Sequence, residues 1–133
     1  MIPQRFVKYH GLGNDFAIFF GGWDGCAPFP ASRVAELCRR GPGIGADGIC
    51  LARTSAHADV RMELINSDGS TPEMCGNGLR CFVKFAVEEL GLTMNPLKVD
   101  TNGGVKVCYW SGRTGGAVDS VRVDMGKPTF DRQ

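Results

Sequence analysis

Residues 66–81 read Asn66-Ser67-Asp68-Gly69-Ser70-Thr71-Pro72-Glu73-Met74-Cys75-Gly76-Asn77-Gly78-Leu79-Arg80-Cys81, which sets a cysteine between an apolar strand pattern and an apolar helix pattern. A thiol in the first turn of that helix would face unpaired backbone N–H groups at the positive end of the helix dipole. Both favour the thiolate and lower its pKa, and a tuned thiolate can move protons. Gly76 and Gly78 allow a ligand close to the backbone, and the N–H groups of Gly76, Asn77 and Gly78 would suit a carboxylate. Cysteine is among the most buried residue types, so packing competes with chemistry at each of the six. Cys75 stands apart because Glu73, Gly76 and Asn77 surround it, whereas Cys38, Cys50, Cys81 and Cys108 have apolar contexts and Cys26 lies in a loop. Asn14 and Asn66 each border a strand pattern beside glycine, where asparagine is either a turn former or an amide for a polar ligand. Two amides near one thiol would suit an amino acid. His10 reads as a structural histidine, Asp47 and Asp68 as turn residues, and Arg33, Arg39, Arg40 and Arg80 as solvated.

The elements that must position these residues follow from periodicity. Phe6–Tyr9 and Phe16–Phe20 read as strands around the His10-Gly11-Leu12-Gly13-Asn14-Asp15 loop. Val34, Leu37 and Cys38 predict a short helix that ends before Gly41-Pro42-Gly43. A second glycine loop, Ile44–Gly48, leads into the apolar Ile49–Ala52, and Val60, Met62 and Leu64 alternate with Arg61, Glu63 and Ile65 to give a strand with one apolar face. Leu79, Phe82, Val83, Ala86, Val87 and Leu90 define the best helix, with Gly91 as its stop. Leu97–Thr101, Val105–Trp110 and the alternating Val121, Val123 and Met125 complete the strands. The expected fold class is α+β, one domain over residues 1–133, with a curled, mostly antiparallel sheet wrapped around one central helix.

Composition narrows the function classes. The 133 residues hold 15 Lys and Arg against 14 Asp and Glu, and this net charge of +1, spread along the chain, argues against nucleic-acid binding. The longest apolar run, Phe16–Phe20, is far short of the ~20 residues that span a bilayer, and residues 1–8 lack a signal-peptide apolar region. The expectation is a cytoplasmic protein with reduced thiols. No Cys-x-x-Cys occurs and neither His10 nor His57 is close to a cysteine in sequence, so no metal site is expected.

Three ordered blocks, His10-Gly11-Leu12-Gly13-Asn14-Asp15-Phe16, Gly43-Ile44-Gly45-Ala46-Asp47-Gly48 and Asn66 through Cys81, resemble diaminopimelate epimerase, a pyridoxal-phosphate-independent amino-acid epimerase. The ending Val121–Pro128 is similar to the family's crossover out of its first half. The resemblance implies two pseudo-symmetric halves, each a curled sheet around a central helix, that close on the substrate and supply one cysteine each. It further implies that Cys75 is the first catalytic thiol, that Asn14, Asn66, Gly76 and Asn77 hold substrate, and that no cofactor is required. Some members carry glutamine where Gly48 stands. The implied reaction interconverts LL- and meso-diaminopimelate, a step toward lysine and peptidoglycan. These 133 residues contain no second block like that around Cys75 and no Glu-Arg substrate clamp. The expectation is therefore an amino-terminal half that does not turn over without a carboxy-terminal half carrying the second cysteine. A homodimer presenting two copies of Cys75, a binding module without chemistry, and a related racemase or isomerase of the same fold are the alternatives.

Overall fold

The structure, a computed structural model, describes residues 5–11, 13–20, 31–41, 43–72, 76–112 and 117–124. In chain order the elements are β1 (Arg5–Gly11), β2 (Asn14–Phe20), α1 (Ala31–Cys38), β3 (Gly48–Arg53), β4 (Val60–Asn66), α2 (Gly76–Glu88), β5 (Leu97–Thr101), β6 (Gly104–Gly112) and β7 (Val118–Asp124). Among the described residues the strands form one seven-stranded sheet in sequential order. Four neighbouring pairs are antiparallel, while β2–β3 and β4–β5 are parallel. The two parallel pairs are the two connections that carry a helix, because a parallel neighbour requires a crossover rather than a hairpin.

The two helices cover opposite faces of the sheet. Phe16 and Ile18 on β2, Cys50 and Ala52 on β3, and Val60, Met62 and Leu64 on β4 join the cluster built on α2, whose Leu79, Phe82, Val83, Phe85 and Ala86 are fully buried. Ala17, Phe19, Ile49, Leu51 and Ile65 take the other face, against Val34 and Cys38 of α1. Strands covered on both sides read as continuous apolar runs, which is why Phe16–Phe19 and Ile49–Ala52 show no alternation. Ile65, placed on the polar side of its strand by the alternation in sequence, is buried because α1 covers that side.

The sheet curls far enough for both of its end strands, β1 and β7, to lie against α2. Tyr9 of β1 meets Phe85 edge-on with ring centroids 6.3 Å apart, and Val121 and Val123 of β7 pack on the same cluster. Glu88 joins the three elements, since one carboxylate oxygen accepts from the Tyr9 hydroxyl at 3.0 Å and the other from Lys84 Nζ at 2.6 Å and Val118 N–H at 2.7 Å. Burial together with this carboxylate pushes the Tyr9 phenol well above its usual range. The expected architecture is present with shifted boundaries: the His10–Asp15 loop is a tight hairpin in which β1 runs to Gly11 and β2 starts at Asn14, α2 spans Gly76–Glu88 and stops short of Leu90, and β7 begins at Val118 rather than Val121. Met125 lies outside the described residues.

Truncating Phe82 to alanine leaves a cavity between α2 and the sheet and is expected to cost about 3–5 kcal/mol. Urea unfolding of Phe82→Ala beside the unsubstituted chain measures it, and a loss below about 1 kcal/mol would place Phe82 outside the tightly packed core.

Candidate active site

The sheet register brings the sequence-predicted residues to one end of three strands. Gly48, the first residue of β3, is opposite Phe16 of β2 on one side and opposite Asn66, the last residue of β4, on the other. Asn14 opens β2 two residues before Phe16. The glycine at 48 follows from this crowding: a Cβ there would meet the Ile65 carbonyl oxygen at 3.0 Å and the Phe16 ring at 3.2 Å. Glutamine, which the resemblance allows at this position, would require those neighbours to shift.

The start of α2 is tied to the same end of the sheet. Asn77 Nδ2 donates to Asn14 Oδ1 at 2.8 Å, and Asn14 Nδ2 in turn donates to Asp47 Oδ2 at 3.3 Å. Gly76 is the first residue of α2, so Cys75 immediately precedes the helix in sequence; Cys75 itself, with Glu73, Met74 and Cys26, lies outside the described residues. Among the described residues outside the helix backbone, a Cβ on Gly76 would meet the tip of Arg80 at 3.5 Å, an ordinary contact, so this side of the turn has room. Asn66 reaches the same sheet end, but its amide serves its own turn: Nδ2 donates to Ser70 Oγ at 3.1 Å, and Asn66 N–H to the Ser70 carbonyl at 2.8 Å. The turn-forming reading of Asn66 is the one this geometry displays.

Beneath these amides is a cluster of charges. The Asp15 side chain is 9% exposed, and its two oxygens accept from Arg40 Nη2 at 2.9 Å and Nη1 at 3.2 Å, with Lys8 Nζ 3.5 Å away. Asp47 N–H donates to Asp15 Oδ1 at 3.1 Å, and Asp47 Oδ1 accepts from Arg40 Nη2 at 3.2 Å. The Arg40 guanidinium holds the Asp15 carboxyl well below the usual carboxylate range against the opposing effect of burial, and the Asp47 N–H adds to that lowering. Lys8 Nζ and Arg40 also donate to the Gly45 carbonyl, at 2.7 and 3.3 Å.

The second glycine loop also folds over the end of α1. The N–H groups of Gly43, Ile44, Gly45 and Ala46 donate to carbonyls of residues 37–39, filling acceptors that a helix end leaves open. Any larger residue at 43 would collide there, because a Cβ would fall 2.4 Å from the Glu36 carbonyl oxygen. Arg40 and Asp47, read from sequence as a solvated arginine and a turn residue, are therefore members of a structural cluster. The signal that could have found it is Asp15, a charged residue that leads an otherwise apolar strand and must be paired if buried. His10 lies on the exposed part of β1 and, with Arg80, Lys84, Val118 and Ser120, lines an open pocket of about 220 Å³ between α2 and β7. Cys38, Cys50, Cys81 and Cys108 are all buried, and burial pushes the Cys108 thiol up to about 11. Among the described residues no cluster of His, Cys, Asp and Glu is arranged to hold a metal ion, and no helix is long and apolar enough to cross a membrane.

The family model described as diaminopimelate epimerase matches residues 6–130. Curated relatives of that description include a protein of Desulfitobacterium hafniense, 45% identical over 127 residues, which cover 94% of this chain and 44% of that protein. Another, from Methanocaldococcus jannaschii, is 43% identical over 131 residues, 96% of this chain and 44% of that protein. The chain thus spans less than half the length of the curated relatives it matches. In fold it is similar to a probable proline racemase from Agrobacterium radiobacter, with a TM-score of 0.70 at 15% identity over 91% of this chain and 41% of that one. A hydroxyproline epimerase from Agrobacterium vitis gives 0.68 at 15% identity over 90% and 40%. At that identity the likeness is one of fold.

Because the folded Asp15 carboxyl titrates below its unfolded value, near 3.9, its contribution to stability is complete above that pH and is lost as the pH falls through and below it. Urea midpoints measured from about pH 5 to pH 2.5 should fall less steeply for Asp15→Asn than for the unsubstituted chain. Equal slopes would remove Asp15 from the acid transition.

Proposed function

This chain belongs to the diaminopimelate epimerase family, and we accordingly propose that it forms one half-site of a cofactor-independent epimerase interconverting LL- and meso-diaminopimelate. The observation that carries the reading is the 2.8 Å hydrogen bond from Asn77 to Asn14, which holds the first turn of α2, next in sequence to Cys75, against the ends of the glycine-flanked strands. A base at that helix start would act beside amides and backbone donors able to hold a polar amino acid.

In this mechanism the Cys75 thiolate takes the α-proton from one face of the substrate, breaking C–H and forming S–H. A second thiol, carried by the part of the relatives' length beyond these residues, gives its proton to the opposite face. Inversion follows with no change of oxidation state. General acid–base assistance of this kind contributes about 10²- to 10⁴-fold per group. Donors at the start of α2 would stabilise the charge that develops toward the substrate carboxylate, and closure of two halves would exclude water and strengthen them. Asn14, Asn66, Gly76 and Asn77 are the substrate-holding positions, and the partner is a carboxy-terminal half. A thiol mechanism fits the reducing cytoplasm.

The test is proton NMR of LL-diaminopimelate in heavy water. No inversion is expected with these 133 residues alone, and inversion should appear once the remaining length of a relative is supplied. It should disappear again with Cys75→Ala. Turnover by the 133 residues alone would overturn the two-half reading, and turnover by the complemented Cys75→Ala variant would remove Cys75 from the chemistry.

A further inference from the structure

Asn14 is held between a donor and an acceptor of different kinds. Asn77 gives it an N–H at 2.8 Å, and Asp47 Oδ2 takes one from it at 3.3 Å. An ionised carboxylate only accepts, whereas an amide turned end for end exchanges donor and acceptor. Turned over, Asn14 would set its carbonyl oxygen against the Asp47 carboxylate and its NH2 against the NH2 of Asn77. The first contact repels as two acceptors and the second as two donors.

Asp47 cannot yield to such a flip. Its Oδ2 also accepts the backbone N–H of Asp15 at 3.0 Å, a donor with no alternative orientation, and its Oδ1 faces Arg40. Its own N–H is bonded to Asp15 and its carbonyl accepts Ser67 N–H at 3.1 Å, so the main chain is fixed on both sides. We propose that Asp47 is a positioning residue whose fixed carboxylate sets the direction of a two-amide relay, Asn77 to Asn14 to Asp47.

The direction has a consequence for binding. Among the described residues the relay uses one N–H of Asn14 and one of Asn77, so each amide has a second N–H to offer an acceptor oxygen of a ligand. The oxygen of Asn14 already has Asn77 as a donor. Asp47 thus biases the pair toward carboxylate-type groups without touching the ligand itself. The relay belongs to the unliganded protein, while its use with diaminopimelate rests on the function proposed above.

Side-chain amide NMR of the ¹⁵N-labelled 133-residue chain reads the relay directly. Asp47→Ala is expected to move the Asn14 Nδ2 pair toward free-amide positions and to speed its exchange with solvent, with the core amides around Phe82 in place. Asp47→Asn should retain the wild-type Asn14 signals, because the Asp15 N–H keeps the remaining side-chain oxygen where Oδ2 was, while the Arg40 guanidinium, 60% exposed, turns away from the new NH2 at the Oδ1 position. A purely ionic role of Asp47 toward Arg40 predicts equal shifts for both variants, and that result, or an unmoved Asn14 pair in Asp47→Ala, overturns the proposal. Should Asp47→Ala fail to fold, Asn77→Ala decides: the Asn14 pair keeps its bonded position if Asp47 sets the direction and loses it if Asn77 does. With diaminopimelate as the probe, Asp47→Ala should weaken binding roughly two- to tenfold, the loss of one oriented hydrogen bond. It should add no loss in an Asn14→Ala background. Additive losses overturn the relay. Because the proposed site closes between two halves, this binding is measured with the remaining length of a relative supplied; if that complex does not bind diaminopimelate, the proposed ligand fails while the amide signals still decide the role of Asp47.

Discussion

A carboxylate removed from water must be given charged or N–H partners in exchange, and at the head of β2 that constraint organises everything near it. Asp15 obtains Arg40 from the residues after α1, Lys8 from β1 and a backbone N–H from the loop before β3. The residues after α1 and before β3, both more than 20 positions from Asp15, are thereby drawn to the β1–β2 hairpin, since Asp15 without these partners would be a stranded buried charge. Arg40 is itself 60% exposed, so the pairing is worth less for its attraction than for the geometry it imposes. Asn14 inherits its position from this neighbour, and Asn77 inherits its partner from Asn14.

The architecture supplies what the charges organise. Two helical crossovers on opposite faces of one sheet give β2, β3 and β4 an apolar partner on each side, while the curl brings β1 and β7 to a single helix. The start of α2 and the ends of β2, β3 and β4 meet at one rim, β4 ending at Asn66 and α2 starting at Gly76, tied to Asn14 through Asn77. A rim built from strand ends and a helix start collects backbone groups that regular pairing leaves available, which suits it to polar ligands.

Strand positions and the central helix were legible because hydrophobic period is local: β4 keeps its alternation as far as Leu64, and the buried face of α2 follows its 3–4 spacing through Ala86. Pairing was less so. The parallel β2–β3 and β4–β5 neighbours follow from which connections carry helices, a non-local fact that no window of residues contains. Arg40 and Asp47 were misread for the same reason, since each looks like an ordinary loop residue until Asp15, more than 20 positions away, supplies the contact. Ile65 shows the complementary error: alternation assigned it to a polar face that α1 turns out to cover. Asn14 was singled out from its glycine-rich setting and Asn77 for its backbone N–H, and the structure joins their side-chain amides directly; Asn66, singled out like Asn14, spends its amide locally on Ser70.

The loop from Gly43 to Ala46 hydrogen-bonds the last carbonyls of α1 along its length, and glycine at 43 lets the two backbones touch. A segment so anchored loses its conformational entropy when the chain folds rather than when a ligand docks. Recognition at this rim therefore begins from a surface already shaped, and the affinity of whatever binds there is not reduced by the work of ordering that loop.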